Sequence, residues 1–192
     1  MATLNFSTSD DSDELARAEL YGLLANLYYE PPTDELLARM RAAATEAPVR
    51  EAFLERAWGE VVAASGRLSA KEIADEYAEL FLGIGRPAIF LYGSYYLAGT
   101  LNEKPLVELR DDLRMLGLER PESIAETEDH IASLCEVMRY LIAGEDVETS
   151  NLAAQQRFYN AHLRGWVDAL CEVLEAHPRA DFYRSVAVLT RD

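Results

Sequence analysis

The sequence predicts an all-α, single-domain helical bundle of about seven to nine helices, and three observations carry that prediction. Apolar residues recur at three-and-four spacing over nearly the whole chain. Prolines, glycines and Ser-x-x-Glu boxes punctuate that spacing where helices stop and start. No run alternates as a half-buried strand would.

The elements follow in order. From Asp11 to Tyr29, Leu15, Leu20, Leu23, Leu24 and Leu27 form one stripe, stopped by Pro31 and Pro32. Thr33 offers a cap for a second helix with Leu36, Leu37 and Met40 inward. Pro48 opens a third, carrying Phe53, Leu54, Trp58, Val61 and Val62 and closed by Ser65 and Gly66. Ser69 to Glu72 is a capping box for a fourth, with Ile73, Tyr77, Leu80 and Phe81 in its stripe, ending at Gly83, Gly85 and Pro87. A loop rich in Gly and aromatics runs from there to Glu103, and its length and apolarity point to function. Pro105 starts a helix through Leu106, Leu109, Leu113 and Leu116 that Gly117 stops. Ser123 to Glu126 reads as a second capping box, opening a helix through Ile131, Leu134, Cys135, Met138, Leu141 and Ile142 to Gly144. Ser150 or Asn151 begins one long helix with Phe158, Leu163, Trp166, Leu170 and Leu174. After Pro178 a terminal helix carries Phe182, Tyr183 and Val186.

A chain of 192 residues fits one domain, residues 1–192, with residues 1–10 expected to be flexible. With 49% hydrophobic and 27% charged residues it reads as globular rather than disordered. Its net charge of −16 disfavours nucleic acid and anionic membrane surfaces as partners. The N-terminus lacks a basic-then-apolar leader, and no stretch reaches the roughly 18 apolar residues of a spanning helix, so a cytoplasmic protein is expected.

The densest chemistry lies in "ETEDHIASL", residues 126–134, with Glu126, Glu128, Asp129 and His130 within five positions. A carboxylate-bridged metal site needs Glu-x-x-His motifs, and His130, His162 and His177 form none. Cys135 and Cys171 lack any CxxC partner and read as core residues. There is no nucleophile elbow, and "GIGRPA" is not a phosphate loop. The sequence therefore indicates a non-enzyme with no cofactor. Acids in a first helical turn suit the helix dipole, which makes a neutral His130 in a structural Asp-His pair the alternative to a recognition role.

Six ordered stretches carry a resemblance: "YAELFLG" (77–83), "SYYL" (94–97), "LGL" (116–118), "ETEDHIASL" (126–134), "FYNAHLRGW" (158–166) and "DFYRSVA" (181–187). Together they resemble the TorD/DmsD/NarJ family of cytoplasmic maturation chaperones. The resemblance implies an all-helical chaperone for a molybdenum-cofactor oxidoreductase, binding its twin-arginine signal peptide, its apoprotein, or both, before cofactor loading and export. Monomer is the expected state, with helix exchange as a route to a dimer. A basic and apolar leader calls for an acidic and apolar groove. By carry-over its lining would be Tyr77, Leu80 and Phe81, then Leu91, Tyr92 and Ser94, then Glu126, Asp129 and His130. Asp129 would accept from a leader Arg or hold His130 in one tautomer. The chain departs from the family signature at Thr127, where Pro is usual, and at Leu91, where a proline would fall before the aromatic at Tyr92. The competing readings are a helical interaction module without leader specificity and a small-ligand or metal-binding helical enzyme.

Overall fold

A computed structural model describes residues 9–43, 55–83, 85–101, 103–121, 123–144, 146 and 148–192. The described residues form ten α-helices and one π-helical turn around one contiguous apolar core. The all-α prediction holds, and strand pairing among these residues is confined to a single bridge, Tyr92 with His130.

Helix α1, Ser9–Tyr29, buries Leu24, Leu27 and Tyr28 and packs along α7, Ile131–Ala143. Thr33 caps α2, Asp34–Ala43, by accepting from the Leu36 amide at 3.2 Å. Helix α3 is described from Glu55 to Arg67, so the expected start at Pro48 lies outside the described residues, as do Phe53 and Leu54. Of the residues expected to be flexible, 1–8 likewise lie outside them, and Ser9 and Asp10 begin α1.

The Ser69–Glu72 capping box forms as predicted, with the Ser69 side chain accepting from the Glu72 amide and the Glu72 carboxylate accepting from the Ser69 amide. It opens α4, Ala70–Tyr77, which loosens into a π-helical turn over Ala78–Leu82. Gly83 ends that turn at φ +36, and a Cβ there would overlap the Arg86 carbonyl, so only glycine fits. The chain then doubles back, and the Ile89 amide donates to the Leu80 carbonyl at 2.9 Å.

Inside the segment expected to be a loop sits a six-residue helix, α5, Gly93–Ala98. It is too short to show helical periodicity in sequence. Helix α6, Lys104–Met115, starts on Pro105 and stops at Gly117, φ +70, as predicted.

Two expectations are corrected. The Ser123–Glu126 box does not open a helix: residues 124–130 turn, with the His130 amide donating to the Thr127 carbonyl at 3.0 Å, and α7 begins only at Ile131. The acids of this stretch each take a partner from another part of the chain: Glu126 from Tyr92, Glu128 from Arg110 and Asp129 from Ser94. The long helix from Asn151 is two: α8, Leu152–His162, capped by Asn151 through the Ala154 amide, and α9, Val167–Ala176. The cause is Trp166. Its indole N–H takes the His162 carbonyl at 2.6 Å, the acceptor that the Trp166 backbone amide would use in a continuous helix, and that amide turns to Leu163.

Helix α10, Phe182–Arg191, closes the fold against α9, α3 and α4. Its first turn is held by Glu76, a buried carboxylate that accepts from the amides of Asp181, Phe182 and Tyr183 at 2.9, 3.1 and 2.9 Å. Cys135 and Cys171 are free and buried, as expected, and burial pushes the Cys171 thiol up to about 12.

Candidate functional site

Residues 126–131 do not precede α7 as a free loop; they are laced to the strap formed by residues 89–98. The Gly93 amide donates to the Asp129 carbonyl at 2.9 Å and the Ile131 amide to the Leu91 carbonyl at 2.8 Å, which makes the Tyr92–His130 bridge. The Asp129 carboxylate reaches across as well, with Oδ2 accepting from the Ser94 amide at 2.9 Å and Oδ1 from the Thr127 hydroxyl at 2.6 Å. Asp129 thereby caps α5 from a distant part of the chain. The expected Asp129–His130 pair does not form. His130 Nδ1 accepts from the Ala132 amide at 3.2 Å, making His130 the N-cap of α7 and placing its ring proton on Nε2.

Burial sets the electrostatics here. His130 is 4% exposed, and burial holds its pKa down at about 4 against the opposing charges of Glu126 and Asp129. The imidazole is therefore neutral at pH 7, as the sequence suggested. Tyr92 donates its hydroxyl to Glu126, and burial together with that carboxylate raises the phenol far above its ordinary value. Glu128 is pushed up by burial, but hydrogen bonds from Arg110 Nε and Nη2, at 3.0 and 2.8 Å, one from its own backbone amide, and the charges of Arg110 and Arg120 outweigh this, and its pKa is lowered. The Ser94 hydroxyl is buried without a hydrogen-bond partner among the described residues; its amide carries the contact.

Tyr77, Leu80 and Phe81, expected to line an open groove, are buried in the core. Tyr77 and Phe81 pack edge to face at 5.1 Å, and both lie against Tyr183. Leu91 is buried too, at 3% exposure. The Tyr77 hydroxyl donates to the carbonyls of Tyr28 and Tyr29 at the end of α1, at 3.2 and 2.7 Å. Burial, then Glu126, Glu30 and Tyr29, push this phenol up to about 12, so two carboxylates act on one hydroxyl. Tyr77, Tyr92, Glu126 and His130 thus gather at one place, with Glu30 and the exposed Tyr29 added by the fold.

From Tyr29 an apolar cleft of about 630 Å³ runs between the C-terminal half of α1, the end of α6, residues 118–121 with Ile124, and one face of α7. Ala25, Leu118, Ile124, Val137 and Tyr140 line it, and Arg120 ties its loop wall together by donating to the Ile124 carbonyl. Its charges are largely matched internally: Glu128 by Arg110 and Arg120, Glu136 by Arg139. Sequence reasoning missed this cleft. A readable signal existed, because Val137 and Tyr140 give α7 a second apolar face beside its core stripe.

The family model described as the nitrate reductase delta subunit matches residues 30–172. The chain belongs to this family. A relative named chaperone protein TorD from Vibrio cholerae is 30% identical over 172 residues, spanning 81% of this chain and 78% of its own length. A TorD from Aliivibrio fischeri is 26% identical over 190 residues, with 90% and 88% covered. The crystal structure of a candidate redox enzyme maturation protein from Archaeoglobus fulgidus shares the fold, with a TM-score of 0.61, 17% identity and coverage of 100% and 97%. The resemblance read from sequence is borne out, and this is a TorD-like chaperone rather than an enzyme family.

Among the described residues no group of three or more His, Cys, Asp or Glu is arranged to hold a metal ion. None of the helices among those residues is long and apolar enough to cross a membrane. Glu126, which accepts from the Tyr92 hydroxyl, stands two positions from Glu128, and Glu128 and the exposed Tyr29 both line the apolar cleft.

Proposed function

We propose that this protein is a cytoplasmic chaperone for a molybdenum-cofactor oxidoreductase, holding the twin-arginine signal peptide, the apoprotein, or both, until the cofactor is in place. The observation that supports this most is that the acidic stretch 126–129 borders the apolar cleft along α7, since Glu128, two positions from Glu126, lines that cleft. A twin-arginine leader has the matching order: a cationic segment followed directly by an apolar one. In this reading the guanidinium groups sit near Glu126, and the apolar segment lies over Val137 and Tyr140. Tyr77, Leu80 and Phe81 form the wall behind the site, and Leu91, Tyr92, Ser94, Asp129 and His130 form its frame.

Isothermal titration of the full chain with twin-arginine leader peptides tests this, with Arg→Gln peptides as controls. Saturable binding that weakens in the Arg→Gln peptides supports it. Failure to retain any cognate leader or apoprotein above background rules it out.

A further inference from the structure

Resting on the reading that this site meets a cationic leader, we propose that Asp129 is a positioning residue, which holds the α5 strap in place and leaves the cationic group to Glu126. Asp129 looks like the obvious acidic receptor, yet it is buried and both of its carboxylate oxygens already hold partners inside the protein. One carboxylate oxygen takes the Ser94 amide and the other the Thr127 hydroxyl, while its carbonyl takes the Gly93 amide. The residue is 4% exposed. A guanidinium reaching it would have to leave water and enter the protein interior beside the Ser94 amide, which is costly. Glu126 is only partly buried and turns one oxygen to Tyr92.

The strap needs the help. Tyr92, the N-cap of α5, offers no side-chain acceptor, so the Ser94 amide depends on Asp129. From α5 the order passes outward: Tyr96 stacks on Trp166, Tyr95 stacks on Phe90, and Tyr92, just before the helix, sets Glu126. Thr127, where the family signature has proline, supplies the second clamp, since a proline has no hydroxyl to donate.

Asp129→Asn separates the two roles. The amide oxygen can still accept from Ser94 and the amide nitrogen can face Thr127, but the charge is gone. Hydrogen exchange over residues 93–98 in the ligand-free full chain, and titration with a twin-arginine leader peptide at two salt concentrations, read both. Asp129→Ala should speed α5 exchange by about tenfold and weaken leader binding by about tenfold, the scale of a lost cap. Asp129→Asn should stay within about twofold of wild type in both. Glu126→Gln should weaken binding and flatten its salt dependence without changing α5 exchange.

Two results overturn the proposal: Asp129→Asn losing about as much affinity as Asp129→Ala, or Asp129→Ala leaving α5 exchange unchanged. If Asp129→Ala does not fold, Asp129→Asn decides alone, with retained affinity supporting and a tenfold loss overturning. A wild-type chain that binds no leader removes the signal-peptide reading, and the exchange measurements still decide whether Asp129 holds α5.

Discussion

Lowering the pH from 7 to 4 should destabilise this protein through His130, and the size of that effect follows from its burial. The folded imidazole binds its proton only at about 4, against an ordinary value of 6.5. Between those values the unfolded chain holds the proton and the folded chain does not, so stability falls as the pH falls. Above pH 6.5 the effect is absent, and below about 4 it levels off. A gap from 6.5 to about 4 is worth about 3 kcal/mol at roughly 1.4 kcal/mol per unit. Asn at position 130 isolates the term, since its side-chain oxygen can keep the Ala132 amide capped while nothing titrates. The smaller side chain shifts stability by a fixed amount at every pH. Urea denaturation of wild type and His130→Asn from pH 7.5 to 4 should therefore give curves that converge by about 3 kcal/mol as the pH drops, because the carboxylates common to both cancel. Curves that run parallel over this range would refute the reasoning.

Three further outcomes can be checked. Glu76→Ala leaves three amides of the α10 first turn without their acceptor and should cost about 3 kcal/mol by denaturant titration, while Glu76→Gln, able to serve only part of the set, should cost about half as much. Gly83→Ala combines a left-handed φ of +36 with overlap on the Arg86 carbonyl, so a loss of about 1–3 kcal/mol is expected in the same assay. Val137→Lys puts a cation into the cleft and should weaken leader binding by about tenfold, with far-UV circular dichroism and melting near wild type.

Where the sequence was legible, the deciding contacts were local. The Ser69–Glu72 box, Pro105 and Gly117 act within one turn of the backbone they control, and each does in the structure what its spacing predicts. The start of α7 was misread because Glu126, Glu128 and Asp129 look like first-turn acids, but their partners, Tyr92, Arg110 and Ser94, lie 34, 18 and 35 positions away. The α8–α9 break depends on an indole competing for one carbonyl, which no hydropathy pattern encodes. The fold does bring Tyr92, Glu126, Asp129 and His130 close together, through the Tyr92–Glu126 hydrogen bond and the Tyr92–His130 bridge. Tyr77, Leu80 and Phe81 were assigned to an open surface because a stripe facing the core and a stripe facing a groove have the same spacing.

Trp166, the residue that splits the last long helix, also gives the chain a built-in optical gauge of the strap. Its ring is 1% exposed, stacked on Tyr96 at 5.5 Å and pressed so close to Gly93 that a Cβ there would lie 3.0 Å from its nitrogen. Any departure of α5 would let water onto the indole face and redden its emission. The one other tryptophan of the chain, Trp58, lies on α3. With Trp58→Phe as background, emission from Trp166 alone would follow the strap in real time as a ligand arrives.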